Sequence, residues 1–385
     1  MSTIRTQQQG HIKEQLTQWI DTDPRRLDVL AELIMAIPLS ASVQSGDVAG
    51  NISRDVQDPS IAQMLSRFYK NEAITWEDIY WPQVKRIVHS LRVDCYYLVI
   101  DTTDTGSTHR TVTLGLAYHG RSIPLVWTVE KGKKGHVSQD VQIELVRKLY
   151  SVFQPLKPVI FLGDSEFDGV RLQKQLKLQG WFYVLRTSSS IYIYDDKEGE
   201  GTRLGDLVPS VGAPEQTRTQ VYFTSAHLFG RVSCFATWEE KQKEPLILVY
   251  WLPPNWKYTV RQTYRRRFWI EPLFGDCKEA GFRLNRTKVK IDERLERLVL
   301  AVSSAYIWMV SLGAWAIYND EASLVDRTHR RTLSIFKTGW RWFRRTIKLE
   351  RIVLFGLVLP KSIDFKPYHT TEIYVEQDVT AQKLV

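Results

Sequence analysis

Tyr264, Arg267, Glu271 and Lys278 stand in the spacing Y-x2-R-x3-E-x6-K within TYRRRFWIEPLFGDCK. On an ideal helix, at about 100° per residue, the four positions fall within an arc of roughly 60°. One face would then carry a carboxylate, two cations and a phenol. Such a set suits a divalent metal beside a phosphodiester: the carboxylate holds the metal, Arg and Lys hold phosphate oxygens, and the phenol hydrogen-bonds or stacks. Pro272 lies inside the motif and predicts a kink, so the single face is approximate. A solvated amphipathic helix can carry the same residue types, and the motif therefore needs partners.

Two upstream segments supply them. Tyr96 to Ile100 (YYLVI) reads as a buried strand and delivers Asp101 at its end. Pro158 to Gly163 (PVIFLG) is a second such strand and ends in Asp164. A lone Asp after a strand is most often a turn or cap residue. Two of them, with a third carboxylate on a downstream helix, match what a two-metal phosphoryl-transfer site requires, with ions about 3.5–4 Å apart clamping the attacking and leaving oxygens. Asp104, Glu166 and Asp168 are the nearest competitors. Asp101 and Asp164 are preferred because each comes first after its strand.

On these residues the chain resembles the DDE transposases of bacterial insertion sequences, in the insertion-sequence-four-like group. That family has an Asp after the first strand, an Asp after the fourth and a Glu inside Y-x2-R-x3-E-x6-K, matched here by Asp101, Asp164 and Glu271 with Tyr264, Arg267 and Lys278. The resemblance covers roughly residues 90 to 320, and none of the six signature positions departs from it. It implies an α/β, ribonuclease-H-like catalytic core with a β-rich insertion, preceded by an all-helical N-terminal domain. It also implies metal-dependent cleavage and strand transfer of DNA by a cut-and-paste route. Asp101, Asp164 and Glu271 would hold two Mg²⁺, with Mn²⁺ able to substitute. Arg267 and Lys278 would bind phosphates near the scissile bond and Tyr264 would order the terminal nucleotide, with Arg265, Arg266 and Trp256 as further DNA contacts. The partners implied are terminal inverted repeats and target DNA, met by a homodimer in the synaptic complex.

Composition agrees with a nucleic-acid enzyme. The chain has 385 residues, 43% hydrophobic, and a net charge of +9. Residues 255–290 carry ten Lys/Arg against three acidic residues, and 327–351 carry nine against Glu350 alone. Aromatics interleave with both windows, which fits phosphate tracking and base stacking. For the second window a membrane-surface helix is the rival. Three cysteines are too few and scattered for a disulfide framework or zinc site, and the eight histidines show no ligand spacing. No G-x4-G-K-[ST] loop occurs, which argues against an ATP-driven enzyme. The N-terminus lacks the apolar core of a signal peptide, so no export is expected, and the resemblance implies a cytoplasmic, nucleoid-associated protein of bacteria. Leu298 to Tyr318 runs without a charge, and is expected to be a buried core helix rather than a membrane span.

The elements that must position these residues follow from periodicity. Residues 1–90 read as a helical domain, with helices near 8–20, 24–37, 58–70 and 75–91. The resemblance implies that it binds the element's ends, while the residues themselves fit a plain helical scaffold almost equally well and show no firm helix-turn-helix signature. Residues 91–320 read as the catalytic domain. Strands are expected at 111–118 and 122–129, joined through His119, Gly120 and Arg121. A helix near 138–153 precedes the Asp164 strand, then a helix near 168–179 and a strand over 181–186. In this strand order the first and fourth strands are neighbours, which would bring Asp101 to Asp164. The insertion, about 187–256, has strand character at 191–194, 219–226, 231–238 and 245–252. Trp238, Trp251 and Trp256 are candidates for stacking on a flipped base, although a strand Trp is more often core. Residues 321–385 read as a basic helical C-terminal region with a polar tail. Two rivals remain: a host-adopted, non-cutting DNA-binding descendant, and a structure-specific nuclease on the same fold.

Overall fold

The computed structural model describes residues 2–91, 93–132, 136–153, 157–328, 330–353 and 356–360, with side chains from residue 4 onward. Part of the basic loop 131–136, part of the apolar run 354–360 and the polar tail from 361 lie outside the described residues.

Alternation of apolar and polar residues, with Thr, Val and Ile abundant, builds the first three strands. β1 (Tyr96–Thr105), β2 (His109–Tyr118) and β3 (Arg121–Lys131) form an antiparallel meander. His119 and Gly120, both at positive φ, make the two-residue turn between β2 and β3. Their twist matches that of the flanking strands. β1 extends five residues beyond the expected strand because Thr102, Thr103 and Thr105 keep pairing with β2. Asp101 therefore lies within the strand and not at its end.

α6 (Gln139–Leu149) leads to β4 (Val159–Gly163), which runs parallel to β1. α7 (Val170–Leu178) leads to β5 (Phe182–Arg186), parallel to β4. The order β3-β2-β1-β4-β5, three antiparallel strands followed by two parallel ones, is the ribonuclease-H-like arrangement expected from sequence.

The β-rich insertion does not stand apart from this core. β6 (Tyr192–Tyr194), β7 (Thr202–Arg203), β8 (Gln216–Phe223), β9 (Phe229–Thr237) and β10 (Leu246–Trp251) continue the same sheet. β10 pairs antiparallel with β5, and the full order ends β5-β10-β9-β8-β6-β7. Ten strands thus share one hydrogen-bonded sheet.

Before the sheet come α1 (Ser2–Thr17), α2 (Pro24–Ser40), α3 (Ser45–Ala49), α4 (Asp58–Lys70) and α5 (Trp81–Ser90), the last preceded by a π-helical turn at Trp76–Tyr80. After it come α8 (Val260–Tyr264), α9 (Ile270–Cys277), α10 (Asp292–Tyr318) and α11 (Ile335–Lys348). The charge-free run is the body of α10, and 94% of its most apolar stretch is buried. α2, α4, α11 and β3 surround it. That packing accounts for its hydrophobicity all round without a membrane.

The N-terminal helices share this core. Leu30, Ile34, Leu65, Ile87, Tyr306 and Phe343 belong to a single buried cluster with the sheet. Trp76 Nε1 donates to the Leu125 carbonyl at 3.0 Å and Tyr80 Oη to that of Pro124 at 2.7 Å. Arg297 donates to the carbonyls of Tyr69 and Ile74.

Candidate active site

Strand register sets the first two carboxylates side by side. Val99 pairs with Leu162 across the parallel β1–β4 ladder. Asp101 and Asp164 each lie two residues further on, so by strand alternation they point to the same side of the sheet. Gly163 permits the tight exit from β4: a Cβ there would meet the Phe167 Cβ at 2.8 Å and Ile100 Cγ2 at 3.2 Å. Asp164 Oδ1 then accepts the Glu166 N–H at 3.0 Å, which fixes the turn. Asp101 Oδ1 accepts from the Thr102 N–H at 2.8 Å.

The third carboxylate comes from a helical segment in three parts. α8 starts at a Thr259–Gln262 capping box. A 3₁₀ segment, Arg265–Trp269, follows, and α9 carries Glu271 in its first turn. Pro272 falls in that same turn, where a missing N–H costs little. Lys278 lies just past the helix end as its C-cap. The single ideal helix expected from the spacing is thus replaced by a composite one.

Arg267 stands at the centre of the constellation, 8% exposed. Its Nη2 reaches Asp101 Oδ2 at 3.0 Å and Asp164 Oδ2 at 3.2 Å, and its Nη1 reaches Glu271 Oε1 at 2.7 Å. All three sequence-selected carboxylates therefore converge on one guanidinium. Burial pulls the Arg267 pKa down, but the surrounding acidic groups, Asp101 first, outweigh it and raise it overall. Burial pushes Asp101 up to about 6, against the pull of Arg267.

Of the competing acids Asp104 is exposed, and the other two are engaged elsewhere. Glu166 accepts from the Val137 N–H at 2.6 Å and from Thr102 Oγ1 at 3.3 Å. Asp168 accepts from Thr187 Oγ1 at 2.5 Å. Lys278 donates from Nζ to Thr103 Oγ1, beside the carboxylates. Burial lowers its pKa, while the Asp104 charge opposes the shift.

Other sequence-selected residues occupy less open places. Tyr264 is only 3% exposed and packs edge-on to Phe268. A buried phenol presents no ring face to a nucleotide, whereas Phe268 is 46% exposed and lies over Arg267. The sequence carried a signal for Phe268, since it sits one helical turn from Tyr264. Trp256 is half-buried against Tyr97 and Tyr258, its Nε1 donating to Thr263 Oγ1 at 3.0 Å. Arg266 stacks over Tyr97 at 4.5 Å and Tyr258 at 4.7 Å. Arg265 is half-buried. Trp238 donates to the Gln242 carbonyl, and Trp251 packs on Phe182. One supporting pair had no sequence signal: Arg121 Nε donates to the buried Asp276 at 2.8 Å, tying α9 to the β2–β3 turn across 155 positions.

The donor set is chemically suited to a hard divalent ion, being three carboxylates from rigid elements. Among the described residues, however, no group of three or more His, Cys, Asp or Glu is arranged to hold a metal. The physical reason is visible: the carboxylates are spread around a guanidinium instead of meeting at a point.

A family model described as a transposase DDE domain matches residues 96–308, more than half of the 385-residue chain. No curated protein sequence matches. Among solved structures, the chain is similar to the piggyBac transposase in a synaptic complex with hairpin DNA, at 10% identity and TM-score 0.47, over 95% of this chain and 86% of that one. It is also similar to the Argonaute of Marinitoga piezophila in complex with guide RNA and target DNA, at 10% identity and TM-score 0.22, over 63% of this chain and 34% of that one. At these scores neither likeness carries an argument, and the fold rests on the strand order itself.

Proposed function

Since the chain belongs to the DDE transposase family, we propose that it binds the ends of an insertion sequence and cuts and joins DNA there by a metal-dependent, cut-and-paste route. The observation that supports this most is the convergence of Asp101, Asp164 and Glu271 on the single cation Arg267. Three acids gathered on one buried guanidinium, with Asp101 largely buried and Glu271 open to solvent, repel one another, and such a set is what a cation-dependent phosphoryl-transfer site needs. Within the family, the Y-x2-R-x3-E-x6-K spacing favours the insertion-sequence-four-like group.

Asp101, Asp164 and Glu271 are the residues that would hold two Mg²⁺, or Mn²⁺ in their place. Divalent ions bound there supply Lewis-acid activation of the attacking oxygen and charge stabilisation of the leaving one. The chain's own part is positioning. β1 and β4 hold two carboxylates in fixed register, and the composite helix brings the third. For an ion to share them, Arg267 must swing off the carboxylates. Its guanidinium is then available for a phosphate oxygen of the scissile strand, a bidentate partner of the same geometry. Lys278, held by Thr103, is placed to meet a neighbouring phosphate. The exposed ring of Phe268 offers a stacking face for the terminal nucleotide, with Tyr264 beneath it as support. The partners are terminal inverted repeats and target DNA, engaged by a homodimer at the bacterial nucleoid, and the N-terminal helices contribute to end recognition.

The test is cleavage of the gene's own flanking DNA by purified protein with Mg²⁺, comparing wild type with Glu271→Gln. Discrete 3′-hydroxyl cuts at inverted repeats, absent from the variant, are expected. Binding without cutting under Mg²⁺ or Mn²⁺ would replace the reading with a non-cutting DNA-binding descendant. Equal cutting of RNA, hybrid and duplex DNA would replace it with a nuclease.

A further inference from the structure

α11 has two faces of opposite character. Ile335, Phe336, Trp342, Phe343 and Ile347 are buried. Against α10 the backbones approach so closely that a Cβ on Gly339 would run into the Met309 carbonyl oxygen, and one on Gly313 into that of Ile335. The other face carries Arg341, Arg344, Arg345 and Lys348, all exposed. Their spacing of i, i+3, i+4 and i+7 makes one straight stripe, about 10 Å long at 1.5 Å per residue.

None of the four is ion-paired to a described residue, and Arg344 is steadied by stacking over Trp340 at 5.5 Å. Four like charges this close repel each other, a cost that no ion pair among the described residues offsets. At the start of the same helix, Lys337 Nζ donates to the Ala280 carbonyl, two residues beyond Lys278. Phe282 packs edge-on to Phe336 there. The stripe therefore begins next to the end of the Tyr-Arg-Glu-Lys motif and leads away from it.

We propose that the Arg341–Arg344–Arg345–Lys348 face is a track for the phosphate backbone of a DNA duplex extending past the active site. The inference rests on the DNA-processing reading above and adds a surface to it. Charge complementarity identifies the occupant: a row of four exposed cations, on a helix whose apolar face is buried, fits a polyanion contacted through its phosphates. A membrane surface would need an apolar face turned outwards beside the cations. Here that face is already buried against α10.

The experiment is the salt dependence of binding of the full chain to a duplex of about 40 base pairs, read by fluorescence anisotropy. Each phosphate contact contributes about 0.9 to the slope of log K against log salt. Changing Arg341, Arg344, Arg345 and Lys348 together to Gln should lower the magnitude of the slope by about two to four. The charge-conserving set Arg341→Lys, Arg344→Lys, Arg345→Lys and Lys348→Arg should keep it. Single neutralisations, each costing up to about one in slope, serve if the fourfold variant melts early. An unchanged slope in folded variants overturns the proposal. So does loss of binding to phosphatidylserine vesicles with DNA binding intact, which would assign the face to a membrane. Mg²⁺-dependent cutting by the wild type is measured in parallel. Cutting with a slope indifferent to these four residues sinks only the track, whereas wild type that neither cuts nor binds sinks the functional reading as well.

Discussion

Arg267 does two incompatible things, and that makes it the most informative residue to change. It pairs with three acids, yet in the proposed function those same acids must be given up to shared cations. Arg267→Ala should leave the carboxylates mutually repelling and partly buried, destabilising the metal-free protein by on the order of 3 kcal/mol. Added Mg²⁺ or Mn²⁺ should raise the melting temperature of the variant more than that of wild type, because the ion no longer competes with a guanidinium. Equal metal-induced shifts in both proteins would remove the competition from the account. A second test concerns His119, whose pKa burial lowers to about 4. Unfolding restores a pKa near 6.5, so the stability it contributes is present above about pH 6.5 and lost as pH falls towards 4. At pH 5 the loss is on the order of 2 kcal/mol. Asp101, raised to about 6, works in the opposite sense: its contribution is whole below the unfolded value near 4 and is lost as pH rises through 6. The two oppose each other in the same window. His119→Asn, which tolerates the positive φ of 45°, should therefore lose less stability than wild type between pH 7 and pH 5, measured as urea midpoints. Parallel curves would refute the assignment.

At the scale of elements, the site depends on a helix that is not one helix. The 3₁₀ turn at Arg265–Trp269 changes the rotation between Tyr264 and Glu271. It is consistent with Tyr264 turning inward while Phe268 stays at the surface. The packing that holds the site in place is remote: α11 closes on α10 through glycine at the crossing, and α10 in turn backs the sheet. Gly339→Ala should force α11 outward and cost about 1–3 kcal/mol, read as a lower melting temperature. If the variant melts with wild type, the close approach is not a constraint on the fold.

For the whole molecule, the consequence of one core and one sheet is that the segments are not interchangeable parts. The helices before residue 91 cover faces of α10 and β3 that would otherwise meet water. A fragment of residues 91–320 should then be insoluble or unfolded by circular dichroism, while the full chain is folded. A soluble fragment with a cooperative melt would show that the helices are dispensable to the core. The same continuity runs outward along the insertion, since β10 joins β5 by backbone hydrogen bonds. Motion of the insertion against the catalytic strands would require breaking a ladder, not bending a linker.

Much of this was legible in the chain because it is local or periodic. Strands, helices and the β2–β3 turn follow from alternation, helical period and the Gly120 turn. Asp101, Asp164 and Glu271 are singled out by motif spacing and by standing after apolar strand runs or on a helix, although Asp101 proves to lie inside its strand. What the sequence could not show depends on pairs far apart in number. That Arg267 bridges 166 positions to Asp101, that Tyr264 is covered, and that β10 adds to β5 are outcomes of which surfaces meet when the core closes. Backbone propensity acts over a few residues. Burial and charge pairing act across whatever the fold brings together, so tertiary structure alone decided that a cation sits among the three acids.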